Sequence, residues 1–257
     1  MCPYVSLFGL TLSTYGLCMA MAMMVSFGVI FYRVRQEHLD VNNLLIIFAF
    51  AFGFGLIGAK ILYLFSSCDI RVVFQEMLLG DFSALIGGGL VFYGGLIAGA
   101  FGAVLGFRIA GATKQMPRYV NAIVPCIPLG HAIGRLGCFF AGCCYGAPYE
   151  GPFAVTFPAI GLTHSVFPIQ ALEALLNVLL FVVLLIISIK KNKPFFTLSL
   201  YLVSYALLRF ALEFLRGDEI RGFASGLSTS QWISLALLLV GLALLRWTSN
   251  NKSALSK

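Results

Sequence analysis

The chain has 257 residues, of which 60% are hydrophobic and 11% are charged, and its formal net charge is +7. Soluble domains carry about 25% charged residues, so this composition excludes an ordinary water-soluble enzyme or binding module. It predicts an integral membrane protein.

Seven apolar runs are long enough to cross a bilayer as helices, which takes about 20 mostly apolar residues. In chain order these runs cover 9–32, 43–66, 83–107, 117–137, 167–189, 195–215 and 230–246. The third run is rich in glycine and the fourth contains Pro125 and Pro128, so six or eight spans are the alternatives. The sequence contains no internal repeat, and we predict one all-α polytopic membrane domain over residues 1–257.

Positive charge alternates between the loops that join these runs. The loops after the first, third and fifth runs and the tail after the seventh are basic, with Arg33, Arg35, Arg108, Lys114, Arg118, Lys190, Lys191, Lys193, Arg246, Lys252 and Lys257. The intervening loops are not basic, since residues 67–82 set one arginine against three acidic residues and residues 147–166 contain no lysine or arginine. The positive-inside rule then predicts an external N-terminus and a cytoplasmic C-terminus.

Several ionisable side chains lie inside the runs or directly at their ends, and inside a membrane such groups are costly and usually functional. In the predicted orientation they all fall near the outer leaflet: Lys60, Arg135, Glu173, Arg209, Glu213 and Arg216. Tyr205, Arg209 and Glu213 are four residues apart and form one polar stripe on a helix. Arginines and lysines at this depth suit the binding of a lipid phosphate, and snorkelling to the interface is the structural alternative. The carboxylate of Glu173 could pair with an arginine or act as a base.

Glycines dominate the third run. Four recur at helical spacing, which favours close helix packing: Gly95, Gly99, Gly102 and Gly106. Further glycines, at 87–89 and at 94, flank Tyr93, and irregular backbone at membrane depth is tolerated where protein or water covers it. With the cations, this pattern predicts a lipid-sized polar cavity that faces outward.

Seven cysteines are an odd number, which excludes a complete internal disulfide framework. Cys138, Cys143 and Cys144 form a C-x4-C-C pattern. Structural zinc sites usually add a second ligand pair, and neither Cys68 nor His164 completes one, so no metal is predicted. A disulfide from Cys138 to either neighbour, buried structural thiols and a nucleophile activated by a nearby arginine all stay open.

Seven segments carry a more specific signal: STYGL (13–17), GLIGAKILY (55–63), GGLVFYGGLIAG (88–99), GRLGCFFAGCCYG (134–146), FPIQALEALL (167–176), YALLRFALEFLRGDE (205–219) and LSTSQW (227–232). In this order they resemble the conserved segments of the bacterial prolipoprotein diacylglyceryl transferase family. The chain departs from the family pattern at positions where catalytic groups are expected. Tyr93 replaces a histidine, Cys138 and Ala141 replace asparagines, Cys143 replaces a glutamate and Lys60 replaces an arginine. The resemblance therefore indicates a divergent member.

The resemblance implies transfer of diacylglyceryl from phosphatidylglycerol to the lipobox cysteine thiol of a lipoprotein precursor, with release of glycerol phosphate. This reaction would take place at the outer face of the bacterial cytoplasmic membrane, without cofactor, metal or nucleic acid. A related transferase with another extracellular acceptor and a non-catalytic lipid-binding relative are the alternatives.

Two sets of site residues follow from the resemblance and the charge pattern. The predicted catalytic residues are Glu213, Glu173, Tyr93, Cys138 and Cys143. The predicted lipid-phosphate-binding residues are Arg135, Arg209, Arg216, Lys60, Tyr15 and Gln170.

Overall fold

The computed structural model describes residues 4–7, 10–67, 78, 89, 91–191, 195–217, 223–224 and 226–250. Several features of the sequence lie outside these residues: Cys68, Asp69, Arg71, Glu76, Asp81, Gly87, Gly88, Lys193, Lys252 and Lys257.

The described chain is mostly helical. Its α-helices are α1 (Thr14–Gln36), α2 (Val41–Ser67), α3 (Phe92–Ile109), α4 (Met116–Ile123), α5 (Cys126–Ala141), α6 (Ile169–Lys191), α7 (Phe196–Leu212) and α8 (Thr229–Asn250). Short 3-10 helices cover Thr113–Gln115, Pro158–Ile160 and Glu213–Leu215. Three two-stranded antiparallel hairpins pair β1 (Tyr4–Leu7) with β2 (Leu10–Ser13), β3 (Val155–Phe157) with β4 (Leu162–Val166), and β5 (Phe223–Ala224) with β6 (Leu227–Ser228).

Five helices in the described chain are long and apolar enough to cross a membrane: α1, α2, α6, α7 and α8. The α4–α5 pair passes the same test together although it is bent by 44°, which gives up to six spans, and α3 is a shorter apolar helix. A polytopic, mostly helical membrane protein is therefore confirmed. Seven spans and their orientation stay predictions.

The first helix begins five residues later than the predicted run. Residues 4–7 and 10–13 form two paired strands instead, in which Tyr4 pairs with Ser13 and Val5 with Leu12. Apolar and polar residues alternate in this stretch, which suits strands, whereas a hydropathy window registers only its mean apolar character.

The fourth predicted run is broken where the prolines lie. Helix α4 ends at Ile123 and α5 begins at Cys126, with Pro125 between them. Proline has no N–H to donate into a helix and its ring clashes with the preceding turn. The observed bend thus has the cause expected from the sequence.

Residues His38–Met116 form one compact unit, in which α2 packs along α3. A Cβ atom added at Gly94 would collide with the carbonyl oxygen of Gly58, and one added at Gly102 with that of Phe50. Only glycine allows the two backbones to approach this closely. The helical spacing of glycines in the sequence is therefore a packing surface within this unit.

Residues 1–37 and 117–257 form the second compact unit, in which α5 packs against α1 and α6, and α7 packs against α6 and α8. A buried polar network ties four of its helices. The Asn121 amide donates to the Ser188 carbonyl at 3.1 Å and accepts from the Thr197 hydroxyl at 2.8 Å, and Arg33 lies 3.4 Å from the Ser188 hydroxyl. These bonds satisfy polar groups that would be costly to bury alone.

Candidate active site

A buried carboxylate on α6 meets two basic side chains of α5. The Glu173 side chain is 3% exposed; its Oε2 lies 3.0 Å from Arg135 Nε and its Oε1 lies 3.5 Å from His131 Nε2. His131 and Arg135 are one helical turn apart and therefore share a face of α5. The partner of Glu173 proposed in the sequence analysis is thus Arg135.

A second buried pair lies at the end of α7. Arg209 Nη2 is 3.1 Å from Glu213 Oε2 and donates to the Ser230 hydroxyl at 3.1 Å. Arg209 is 8% exposed and Glu213 is 5% exposed. Within the described chain, Arg209 Nη1 is buried without a hydrogen-bond partner, so this guanidinium keeps donor capacity for an anion.

An aromatic contact connects the two pairs. The rings of His131 and Tyr205 have centroids 5.4 Å apart, and Tyr205 lies one turn before Arg209 on α7. The unit therefore gathers two arginines, two carboxylates and one imidazole around three neighbouring helices.

Three thiols gather where α5 ends. Gly142 adopts a left-handed conformation with φ of 78°, and the Cys143 N–H donates to the Cys138 carbonyl at 3.1 Å. The Sγ atoms of Cys138, Cys143 and Cys144 all lie within 4.8 Å of one another, and the structure has all three as free thiols. The fully buried Gln170 donates from Nε2 to the Cys143 carbonyl at 2.7 Å, which fixes the loop to α6.

Main-chain bonds hold the next residues of this loop between two distant segments. The Gly146 N–H donates to the Phe167 carbonyl and the Ala147 N–H to the Leu215 carbonyl, each at 3.0 Å. A Cβ atom at position 146 would lie 2.5 Å from the Phe167 oxygen and 3.0 Å from the Leu215 oxygen. Glycine is required here, and its bridge to Arg216 brings that residue beside the thiol loop.

The thiols differ in acidity. Hydrogen bonds from Cys138 and Cys143 lower the pKa of Cys144, and the charges of Arg135 and Arg216 act in the same direction. The same hydrogen-bond network raises the pKa of Cys143. Among these three thiols, Cys144 is therefore the one whose surroundings most favour the thiolate form.

The other predicted residues are distributed between the two units. Tyr15 lies in the first turn of α1, where its ring packs near Gly137 and its phenol interacts electrostatically with Arg135 and the three thiols. Lys60 and Tyr93 belong to the unit 38–116, in which the Lys60 ammonium lies 5.1 Å from the centre of the Tyr63 ring.

Sequence reasoning missed His131 as a member of the site. A signal for it was present in the sequence, since His131 precedes Arg135 by one helical turn and lies just before the signature segment 134–146. Pairing with Glu173 depends on the register between α5 and α6, which spacing within one helix does not reveal.

Comparisons with known proteins agree on one family. The family model described as "Prolipoprotein diacylglyceryl transferase" matches residues 3–247. The chain is 32% identical over 240 residues to the phosphatidylglycerol–prolipoprotein diacylglyceryl transferase of Clostridium tetani, covering 92% of this chain and 93% of that protein. It is 30% identical to the enzyme numbered 2 of Clostridium perfringens, over 93% of this chain and 91% of that protein. It is also 30% identical to the Finegoldia magna enzyme of the same name, over 93% and 92% of the two chains.

Proposed function

Since the chain belongs to the prolipoprotein diacylglyceryl transferase family, we propose that it transfers the diacylglyceryl group of phosphatidylglycerol to a cysteine thiol of a lipoprotein precursor. The acceptor sulfur forms a bond to the glyceryl carbon, the bond from that carbon to the phosphate oxygen breaks, and glycerol phosphate leaves. The observation that carries the proposal is the pair of buried arginine–carboxylate contacts, Arg135–Glu173 and Arg209–Glu213, joined through His131 and Tyr205.

The two arginines bind the phosphate of the lipid donor. Negative charge builds on the leaving phosphate as the carbon–oxygen bond breaks, and prearranged cations in a dry site stabilise it strongly. Arg209 has a buried Nη1 with no hydrogen-bond partner in the described chain, which supports this role. The carboxylates hold each guanidinium in place before the lipid enters. Arg216 is a secondary cation, and the role of Lys60, which belongs to the unit 38–116, stays a prediction.

The acceptor thiol must lose a proton to become a nucleophile. The sequence predicts Glu213 and then Glu173 as the base, and both carboxylates are about 3% exposed and paired with arginine. The His131 side chain is 26% exposed and contacts Glu173. Accessibility therefore favours the His131 imidazole as the base, with Glu173 orienting it.

The remaining predicted residues support this chemistry. Gln170 positions the thiol loop and Tyr15 borders it. Tyr93, Cys138 and Cys143 occupy family positions where polar groups are expected, and their catalytic roles stay predictions.

We place the site at the outer leaflet of the bacterial cytoplasmic membrane, in a chain of seven spans with an external N-terminus. The alternation of basic and non-basic loops supports this placement. Both substrates, a membrane phospholipid and the precursor peptide, would then reach the site from the bilayer.

The test is reconstitution of the purified chain with phosphatidylglycerol vesicles and a lipobox peptide, read by peptide mass. We expect a diacylglyceryl mass gain, and a loss of about 100-fold or more in rate for Arg135→Gln or Arg209→Gln. Arg246→Gln, which changes an exposed arginine of α8, is the matched control and should keep wild-type activity.

Two results would contradict the proposal. If the folded wild-type chain leaves the peptide unmodified, it acts on another acceptor or only binds lipid. If both arginine variants retain activity, the phosphate site lies elsewhere.

A further inference from the structure

The three thiols of the α5 loop form a cluster that lies outside the proposed phosphate-binding arginines and the proposed base. Their Sγ atoms lie within 4.8 Å of one another. Cys138 is buried in the last turn of α5, Cys144 is half-buried and Cys143 is exposed, so a small ion can reach the cluster from one side.

The backbone of this loop is arranged before any ligand enters. The left-handed Gly142 turns the chain back over α5, and Gln170 holds the Cys143 carbonyl. Cys144 itself has a φ of 59°, which is uncommon for a residue other than glycine. The surrounding bonds therefore impose the direction of its side chain.

The spacing suits coordination of one ion. A zinc–sulfur bond is about 2.3 Å, so two thiolates on one tetrahedral ion lie about 3.8 Å apart. The observed limit of 4.8 Å requires each sulfur to move by less than about 1 Å, which a side-chain rotation achieves.

We propose that Cys138, Cys143 and Cys144 bind one thiophilic divalent cation, for which Zn²⁺ is the probe. Three thiolates and one such ion carry a net charge of about −1, and Arg135 and Arg216, which both interact electrostatically with Cys144, offset it. The described residues contribute three ligands, so a four-coordinate ion keeps one position for water or another small ligand. The thiols lose their protons when the ion binds.

This inference revises the expectation of no metal from the sequence. That expectation depended on the missing second ligand pair, whereas the structure brings all three thiols of one short segment to a single point. It does not rest on the proposed function, because its measurements do not use transfer activity.

The first experiment measures zinc bound to the purified chain in detergent after loading and desalting. We expect about one zinc ion per chain. Affinity, measured by competition with a chromogenic chelator, should fall more than about ten-fold in Cys143→Ser, a change at an exposed side chain that the fold tolerates. Cys126→Ser, at a buried free thiol elsewhere on α5, is the matched control and should bind like the wild type.

The second experiment uses the unmodified sequence and so does not depend on folding of a variant. The reduced chain is alkylated with and without Zn²⁺, and each cysteine is quantified by peptide mass spectrometry. Protection of Cys143 and Cys144 by Zn²⁺ is expected. Absence of stoichiometric zinc, equal affinity in Cys143→Ser, or a disulfide between two of the three cysteines in place of metal binding would overturn the proposal.

Discussion

Replacing Glu173 by glutamine removes the charge on which the centre of the candidate site depends. The carboxylate is buried and faces Arg135 at 3.0 Å and His131 at 3.5 Å. Glutamine has nearly the same shape, so the substitution leaves packing intact and isolates the charge. Arg135, with a side chain only 14% exposed, then lies in a mostly buried position without its counter-ion.

The expected loss of unfolding free energy is about 3 kcal/mol. Removing one partner of a buried ion pair costs about 3–5 kcal/mol, because the other charge stays buried without compensation. The lower end of this range of free energies applies to Glu173→Gln for two reasons. Glutamine keeps an oxygen that faces the Arg135 guanidinium, and the side chains of Arg135 and His131 are 14% and 26% exposed.

The assay is reversible denaturant unfolding of the purified chain in mixed micelles, comparing the wild type with Glu173→Gln. Glu150→Gln removes an exposed carboxylate from a loop of the same unit and should change stability by less than about 0.5 kcal/mol. Arg135→Gln and the double variant complete a thermodynamic cycle. Because the two residues are in contact, their coupling should be about 0.5–3 kcal/mol, with the double variant more stable than the sum of single losses predicts.

Strict additivity of the two substitutions would refute the reasoning, since it would mean that Arg135 and Glu173 do not share a buried interaction. A loss in Glu173→Gln no larger than that of the Glu150→Gln control would do the same.

Three further outcomes are expected. Gln170→Leu leaves the Cys143 carbonyl without its 2.7 Å donor and should lower unfolding free energy by about 1–3 kcal/mol; unchanged stability would show that water replaces the amide. Gly146→Ala places a methyl group 2.5 Å from a carbonyl oxygen and should sharply reduce folded protein in a detergent chromatography assay, whereas Gly28→Ala, with open space around its Cβ position, should be neutral or slightly stabilising. In metal-free protein, iodoacetamide should alkylate Cys144 faster than the more exposed Cys143, because the pKa of Cys144 is lowered and that of Cys143 is raised. From pH 8 to pH 6 an ordinary thiol with a pKa near 8.5 slows roughly 75-fold, and the rate at Cys144 should fall by clearly less because its pKa is lowered; an ordinary pH profile at Cys144 would contradict the assignment.

Five of the helices, α1, α2, α6, α7 and α8, were predictable because each apolar run is long and flanked by polar residues. The bend between α4 and α5 was also predictable, since Pro125 removes a donor and blocks the preceding turn. Strands β1 and β2 were not predictable, because a hydropathy window does not distinguish alternating apolar residues from a continuous apolar run. Pairing along one helix, as between Arg209 and Glu213, follows from their spacing of four residues.

For contacts between helices, the sequence could predict the type of partner but not which residue it would be. The sequence indicated that Glu173 needs a cationic partner, but the choice of Arg135 and the addition of His131 depend on how α5 and α6 are aligned. The convergence of Cys138, Cys143 and Cys144 likewise depends on the left-handed Gly142 and on a side chain of another helix, Gln170.

In the loop around Gly146, the path of the backbone does not depend on the side chains that could carry chemistry. Its position is set by hydrogen bonds between main-chain atoms of Gly146, Ala147, Phe167 and Leu215, and such bonds are indifferent to the side chains carried nearby. A relative can therefore exchange amides and carboxylates for thiols along this loop while keeping its path through the protein. The same frame offers protein engineers a support, within a helical membrane protein, on which new ligand sets can be installed without redesigning the fold.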